Sequence, residues 1–169
     1  MDVVLIRYGW WVEMLNIGDT APQFSLLDDN EDEVTLSSLL ESGPLILYFY
    51  PADFTPICTA EACGIRDMHE EILSVDIKIV GISPQNTNTH NRFKNRYDIP
   101  FPLLFDKSKK VIRAFGVDGI LGIGVRRTTF LINENAEIEN RVVSDLFVSN
   151  HMKFIEQVIS ARSENSDAE

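Results

Sequence analysis

Along this chain of 169 residues, short β-rich apolar runs alternate with stretches whose apolar residues recur at helical spacing. Residues 45–50 are continuously apolar or aromatic between Gly43-Pro44 and Pro51, which predicts a buried strand. Residues 77–83 and 102–105 predict two more strands, and residues 34–36 a short one followed by a helical turn begun at Ser37 or Ser38. Late in the chain, strands over 128–132 and 138–143 flank Asn133-Glu-Asn-Ala136, a hairpin turn in which an asparagine can take positive φ. Helical spacing covers residues 56–73, 87–97 and 107–115. It returns over 150–161, where Met152, Ile155, Val158 and Ile159 form one stripe. Such alternation predicts an α/β fold, with a central mixed β-sheet carrying helices on both faces. The chain shows no internal repeat and no low-complexity segment.

Composition narrows the possibilities. At 44% apolar residues, the chain can bury one sizeable core and needs no second domain. Lys plus Arg number 15 against 26 Asp plus Glu, so a net charge of −11 argues against nucleic acid as a partner. No apolar run approaches the roughly 18 residues of a membrane span. The first residues carry Asp2, Arg7 and Glu13 and lack the pattern of a secretory leader, so a cytoplasmic location is expected. The histidines His69, His90 and His151 fall on separate elements without ligand spacing and are read as surface or structural residues. No metal or cofactor is expected. Two cysteines make neither a disulfide scaffold nor a zinc site. Catalytic or redox use remains, against the plainer reading of two small buried residues.

The local context of Cys58 favours chemistry. The strand over 45–50 stops at Pro51 and the chain restarts as a helix, with Thr55 a natural N-cap and Pro56 suited to the first helical position. Cys58 then falls where a capping box would place a carboxylate. Backbone N–H groups and the positive end of the helix dipole favour an anion there, so the position suits a thiolate.

Pro51-x-x-x-Thr55-x-x-Cys58 resembles the peroxiredoxin signature. Thr55-Pro-Ile-Cys-Thr-Ala-Glu-Ala-Cys63-Gly-Ile-Arg-Asp67, with a second cysteine five residues on, resembles the peroxiredoxin Q (bacterioferritin comigratory protein) branch. From about Leu15 to Ile159 the order of elements is similar as well, including Gly18-Asp-Thr-Ala-Pro-Gln-Phe24 and Arg127-Thr-Thr-Phe-Leu-Ile132. The resemblance implies a thioredoxin-like fold in its peroxiredoxin form over residues 14–162. Residues 1–13 are then an amino-terminal extension with a Tyr8, Trp10 and Trp11 cluster that covers either the chain's own body or a neighbouring subunit, and residues 163–169 are a flexible acidic tail.

The resemblance also implies an activity: a thiol-dependent peroxidase acting on hydrogen peroxide or organic hydroperoxides. Cys58 is the implied peroxidatic cysteine and Cys63 the resolving one, through an intramolecular disulfide that thioredoxin or a glutaredoxin-like protein reduces. A low thiol pKa alone does not select peroxide, because nucleophilicity falls with it, so the site must stabilise charge moving onto the leaving oxygen. Thr55, the first-turn N–H groups and Arg127 are the implied donors, Pro51 the implied wall, and Glu61 an acidic residue that either orients the arginine or lies in solvent. Adjacent strand residues point to opposite faces, so only one of Arg126 and Arg127 reaches the pocket. The family's Arg-x-x-Phe pattern, matched by Arg127 and Phe130, selects Arg127.

Five residues along an ideal helix separate Cα atoms by roughly 8.6 Å. Disulfide-linked Cα atoms lie about 4.4–6.8 Å apart, so a Cys58–Cys63 bond requires the helix to unwind. A monomer or a weak homodimer is expected. Thiol–disulfide oxidoreductases of the same fold use Cys-x-x-Cys, a spacing this chain lacks, whereas a non-turnover peroxide sensor or holdase would use the same Cys58 oxidation. Asn133 and Ala136 stand where the family usually has Asp and Gly.

Overall fold

The computed structural model describes residues 13–166. The Tyr8, Trp10 and Trp11 cluster lies outside them. Among the described residues, seven strands form one mixed sheet. In chain order they are β1 (Ser25–Leu27), β2 (Glu33–Thr35), β3 (Leu45–Phe49), β4 (Lys78–Ser83), β5 (Leu103–Phe105), β6 (Thr128–Ile132) and β7 (Ile138–Val143), arranged β2-β1-β5-β4-β3-β6-β7. The central β3, β4 and β5 are parallel, and β6, β7, β1 and β2 extend the sheet antiparallel on either side.

Six α-helices among the described residues flank it: α1 (Leu36–Leu40), α2 (Pro56–Asp67), α3 (His69–Ser74), α4 (Thr87–Tyr97), α5 (Lys110–Ala114) and α6 (Val148–Ser166). Strand parity divides the core. Leu45, Leu47 and Phe49 face one apolar cluster with residues of α1 and α5, while Ile46 and Tyr48 face a second with residues of α2, α4 and α6. Every residue of β3 and β6 is buried, which explains why these strands read as β-rich runs without charged or alternating positions. Gly81 on β4 pairs with Tyr48, and a Cβ there would lie 2.7 Å from the Tyr48 ring, so glycine makes room for the aromatic side chain.

The expected elements recur with instructive differences. The helix expected over 56–73 is two helices, because Met68 ends α2 with its N–H directed back to Arg66 and Ile65 carbonyls while also capping α3. The strand β1 has three residues, too few for an alternating pattern to register. In the β6–β7 turn, positive φ falls on Ala136 (60°) rather than on either asparagine, and Asn133 Oδ1 accepts from Asn135 and Glu137 N–H groups. The inward stripe of α6 is His151, Phe154, Ile155 and Val158. Met152 and Ile159, expected within it, are half-buried at its margins. The tail expected from residue 163 is helical as far as Ser166.

Candidate active site

Three elements converge on Cys58: the loop after β3, the first turns of α2, and the residues leading into β6. Pro51 follows β3 and is half-buried. Thr55 is the N-cap of α2 in extended conformation, with Pro56 in the first helical turn. The Thr55 hydroxyl donates to the Ala52 carbonyl at 2.9 Å rather than capping the helix, so it ties the loop to itself. Between them Phe54 adopts φ +62°, unfavourable for a side chain of this size. Its ring packs against Phe93 and Tyr97 at centroid distances of 5.2 and 6.2 Å, which holds the conformation. Asp53 is buried: it accepts from Tyr50 Oη at 2.7 Å and lies 2.8 Å from His90 Nδ1. His90 and His151 are both fully buried, the structural rather than the surface alternative, while His69 is half-buried beside Phe101.

Cys58 sits in the first turn of α2 at 2% exposure, three residues past the N-cap. The buried Arg127 reaches it from the position just before β6, with Nη2 3.1 Å from Sγ. Arg127 Nη1 donates to Glu61 Oε2, while its backbone N–H and Nε are held by Asp145, at 2.9 Å to Oδ1 and 3.4 Å to the carbonyl. Arg126 points away and pairs with Asp145 at the surface, 3.1 Å from Oδ2. Glu61, one turn beyond Cys58, is fully buried rather than solvated. Burial pushes its carboxyl up to about 7, although Arg127 pulls it down. For Arg127, burial opposes the charge but Glu61 and Cys58 more than offset it, so the guanidinium stays charged and the carboxyl is the member that titrates.

Cys63 is half-buried on the same helix, and both cysteines are free thiols. Asp145, His151 and the Tyr50–Asp53–His90 network escape sequence reasoning. One signal was present for Glu61: a carboxylate three residues from Cys58 shares its helix face. Among the described residues, no three or more His, Cys, Asp or Glu side chains are grouped to hold a metal ion, and no helix is long and apolar enough to cross a membrane.

A thioredoxin-like sheet presenting a buried cysteine at a helix start beneath an arginine defines a cysteine-based redox enzyme. The AhpC/TSA family model matches residues 17–141. Peroxiredoxin Bcp of Bacillus subtilis is 38% identical over 130 residues, covering 73% of this chain and 82% of that protein. Peroxiredoxin Q of Oryza sativa subsp. japonica, named as chloroplastic, is 37% identical over 123 residues, covering 72% of this chain and 56% of that protein. Among solved structures, peroxidoxin BcpB of Mycobacterium tuberculosis superposes with a TM-score of 0.81 at 35% identity, covering 87% of this chain and 97% of that one. A Xanthomonas campestris bacterioferritin comigratory protein, described by its alkyl peroxide reduction activity, gives 0.73 at 26% identity, covering 84% and 91%. The chain belongs to the AhpC/TSA family and, within it, to the Bcp and peroxiredoxin Q proteins: it is a peroxiredoxin, a thiol peroxidase.

Proposed function

We propose that Cys58 is the peroxidatic residue and that the protein reduces hydrogen peroxide and organic hydroperoxides. The observation that carries this is the contact between Arg127 Nη2 and Cys58 Sγ at the start of α2. The Cys58 thiolate attacks one peroxide oxygen, the O–O bond breaks, and the sulfur becomes Cys–SOH while the released alkoxide or hydroxide takes a proton. Arg127 and the first-turn N–H groups of α2 stabilise the charge as it moves from sulfur to the leaving oxygen. Pro51 walls the sulfur from water, and Thr55 holds the loop that carries both.

Cys63 then attacks the sulfenic sulfur, expelling water and leaving a Cys58–Cys63 disulfide. Both cysteines lie within α2, so the first turns of that helix must open before the bond can close. Thioredoxin or a glutaredoxin-like protein returns the disulfide to two thiols. A disulfide within one chain needs no second copy, which supports a monomer or weak homodimer as the acting form. The need for reduced thioredoxin supports the cytoplasm as the compartment. Support for organic hydroperoxides comes from the alkyl peroxide reduction ascribed to the Xanthomonas campestris relative. The test is peroxide consumption with thioredoxin, its reductase and NADPH: continuous turnover is expected from the wild type and not from Cys63→Ser. A single stoichiometric oxidation of the wild type would point to a sensor or holdase instead.

A further inference from the structure

Behind Arg127 lies a buried carboxyl–imidazole contact that the peroxidase reading does not use. His151 Nε2 is 2.9 Å from the Ser144 carbonyl, which can only accept, so Nε2 carries a hydrogen. His151 Nδ1 is 2.8 Å from Thr129 Oγ1 and 3.5 Å from Glu61 Oε1. Glu61 Oε1 has no hydrogen-bond partner, although the side chain is fully buried. With a neutral ring, Nδ1 accepts from the Thr129 hydroxyl, and an ionised Glu61 would set a bare carboxylate oxygen 3.5 Å from that nitrogen with no hydrogen between them. A proton on Glu61 Oε1 removes that repulsion.

The charges at the site point the same way. Arg127 contacts both Cys58 and Glu61, so a thiolate with a carboxylate leaves one excess negative charge in the interior, a costly arrangement. The other groups facing the pair do not cancel it. Tyr48, from β3, is held neutral mainly by burial, with the charges of Glu61, Asp53 and Cys58 acting in the same direction. The Asp145 carboxylate is already engaged by Arg126 and the Arg127 backbone. Thr129, from β6, brings only a hydroxyl.

We propose that Glu61 and His151 form a neutral carboxyl–imidazole pair behind Arg127, with a proton on Glu61 Oε1 facing Nδ1 of the neutral ring, so that Arg127 faces one full negative charge, on Cys58, rather than two. His151 is thereby a positioning residue that acts through Glu61 and Arg127. Burial raises the Glu61 carboxyl and lowers the His151 imidazole, which puts the proton on the carboxyl side.

Resting on the peroxidase reading, the pair also balances the reaction. Oxidation makes the sulfur neutral, Arg127 is then free to hold a carboxylate, and Glu61 gives up its proton. The sum is Cys–S⁻ plus Glu–COOH plus ROOH giving Cys–SOH plus Glu–COO⁻ plus ROH, with the proton passing to the leaving oxygen through solvent.

Infrared pH titration of the reduced full-length protein, without peroxide, tests this directly. A protonated carboxyl band titrating near neutral pH is expected in the wild type and absent from Glu61→Gln. Cys58→Ser, which leaves Arg127 to the carboxylate, should move the band's titration to lower pH by about one unit or more. His151→Asn places an N–H donor at the Nδ1 position and should move it the same way. In the wild type, ¹⁵N shifts of His151 should show a neutral ring protonated at Nε2. A band titrating in the ordinary carboxyl range, a titration unmoved by Cys58→Ser, or an imidazolium at His151 would each overturn the pair. Peroxide consumption measured on the same samples judges the peroxidase reading separately, because the titration involves no turnover.

Discussion

Arg127 and Cys58 are 69 positions apart in sequence, and Nη2 of one lies 3.1 Å from Sγ of the other. Strand register makes that meeting possible. β6 pairs with β3 so that Thr128 lies opposite Phe49, which brings the residue before Thr128 beside the loop leaving β3. Arg126, one residue earlier, must point to the opposite face and is found there with Asp145.

Arg127→Ala should lower the second-order rate constant for peroxide by roughly 10²–10³, the scale of losing one preorganised donor to developing charge. Arg126→Ala removes an exposed ion pair and should leave that rate nearly unchanged. Stopped-flow peroxide reduction compares the two. Exchanged results would mean that the other arginine faces the sulfur.

Glu61 gives the fold a measurable pH dependence. Its carboxyl stands at about 7 in the folded protein against an ordinary 4.5, so between those values the folded state holds the extra proton. Its contribution to stability is therefore fully present below about 4.5 and is lost as pH rises through about 7. Glu61→Gln cannot titrate. Denaturant midpoints at pH 5 and pH 8 should show the wild type losing more stability than this variant over the interval, on the order of a few kcal/mol. Parallel losses in the two proteins would contradict the assignment.

Formation of the Cys58–Cys63 disulfide should open the start of α2. Amide exchange over residues 56–64 should be slow in the reduced protein, where the helix is continuous, and much faster in the oxidised one. Equal protection in the two forms would rule out local unwinding as the route to resolution.

Much of this architecture was legible in the sequence. Residues 87–97, 128–132 and 138–143 form their elements at the expected bounds, because helical spacing and uninterrupted β-rich runs are local signals. The turn at Pro51, Thr55 and Pro56 is local too, and it places Cys58 without reference to the rest of the chain. What the sequence hides is decided by tertiary contact. Met68 breaks a helix whose periodicity runs straight through it, and Asp53 turns inward because Tyr50 and His90 are there to receive it. Glu61 and His151 stay ambiguous between solvent and interior, since the partners that hold each lie on other elements: Arg127 for the first, Thr129 and Ser144 for the second.

The central claim is that the Cys58 sulfur reduces the peroxide. A single-turnover reaction of the reduced protein with hydrogen peroxide, followed by peroxide loss and by mass spectrometry of the cysteine peptides, tests it most directly. The wild type should consume about one equivalent per chain and yield a Cys58–Cys63 disulfide, and Cys63→Ser should also consume about one equivalent but stop at Cys58–SOH or proceed to sulfinic acid. Cys58→Ser should consume none, because a serine hydroxyl supplies no anion at neutral pH. Peroxide loss in Cys58→Ser at more than about a few per cent of the wild-type rate, or oxidation found first at Cys63, would contradict the account.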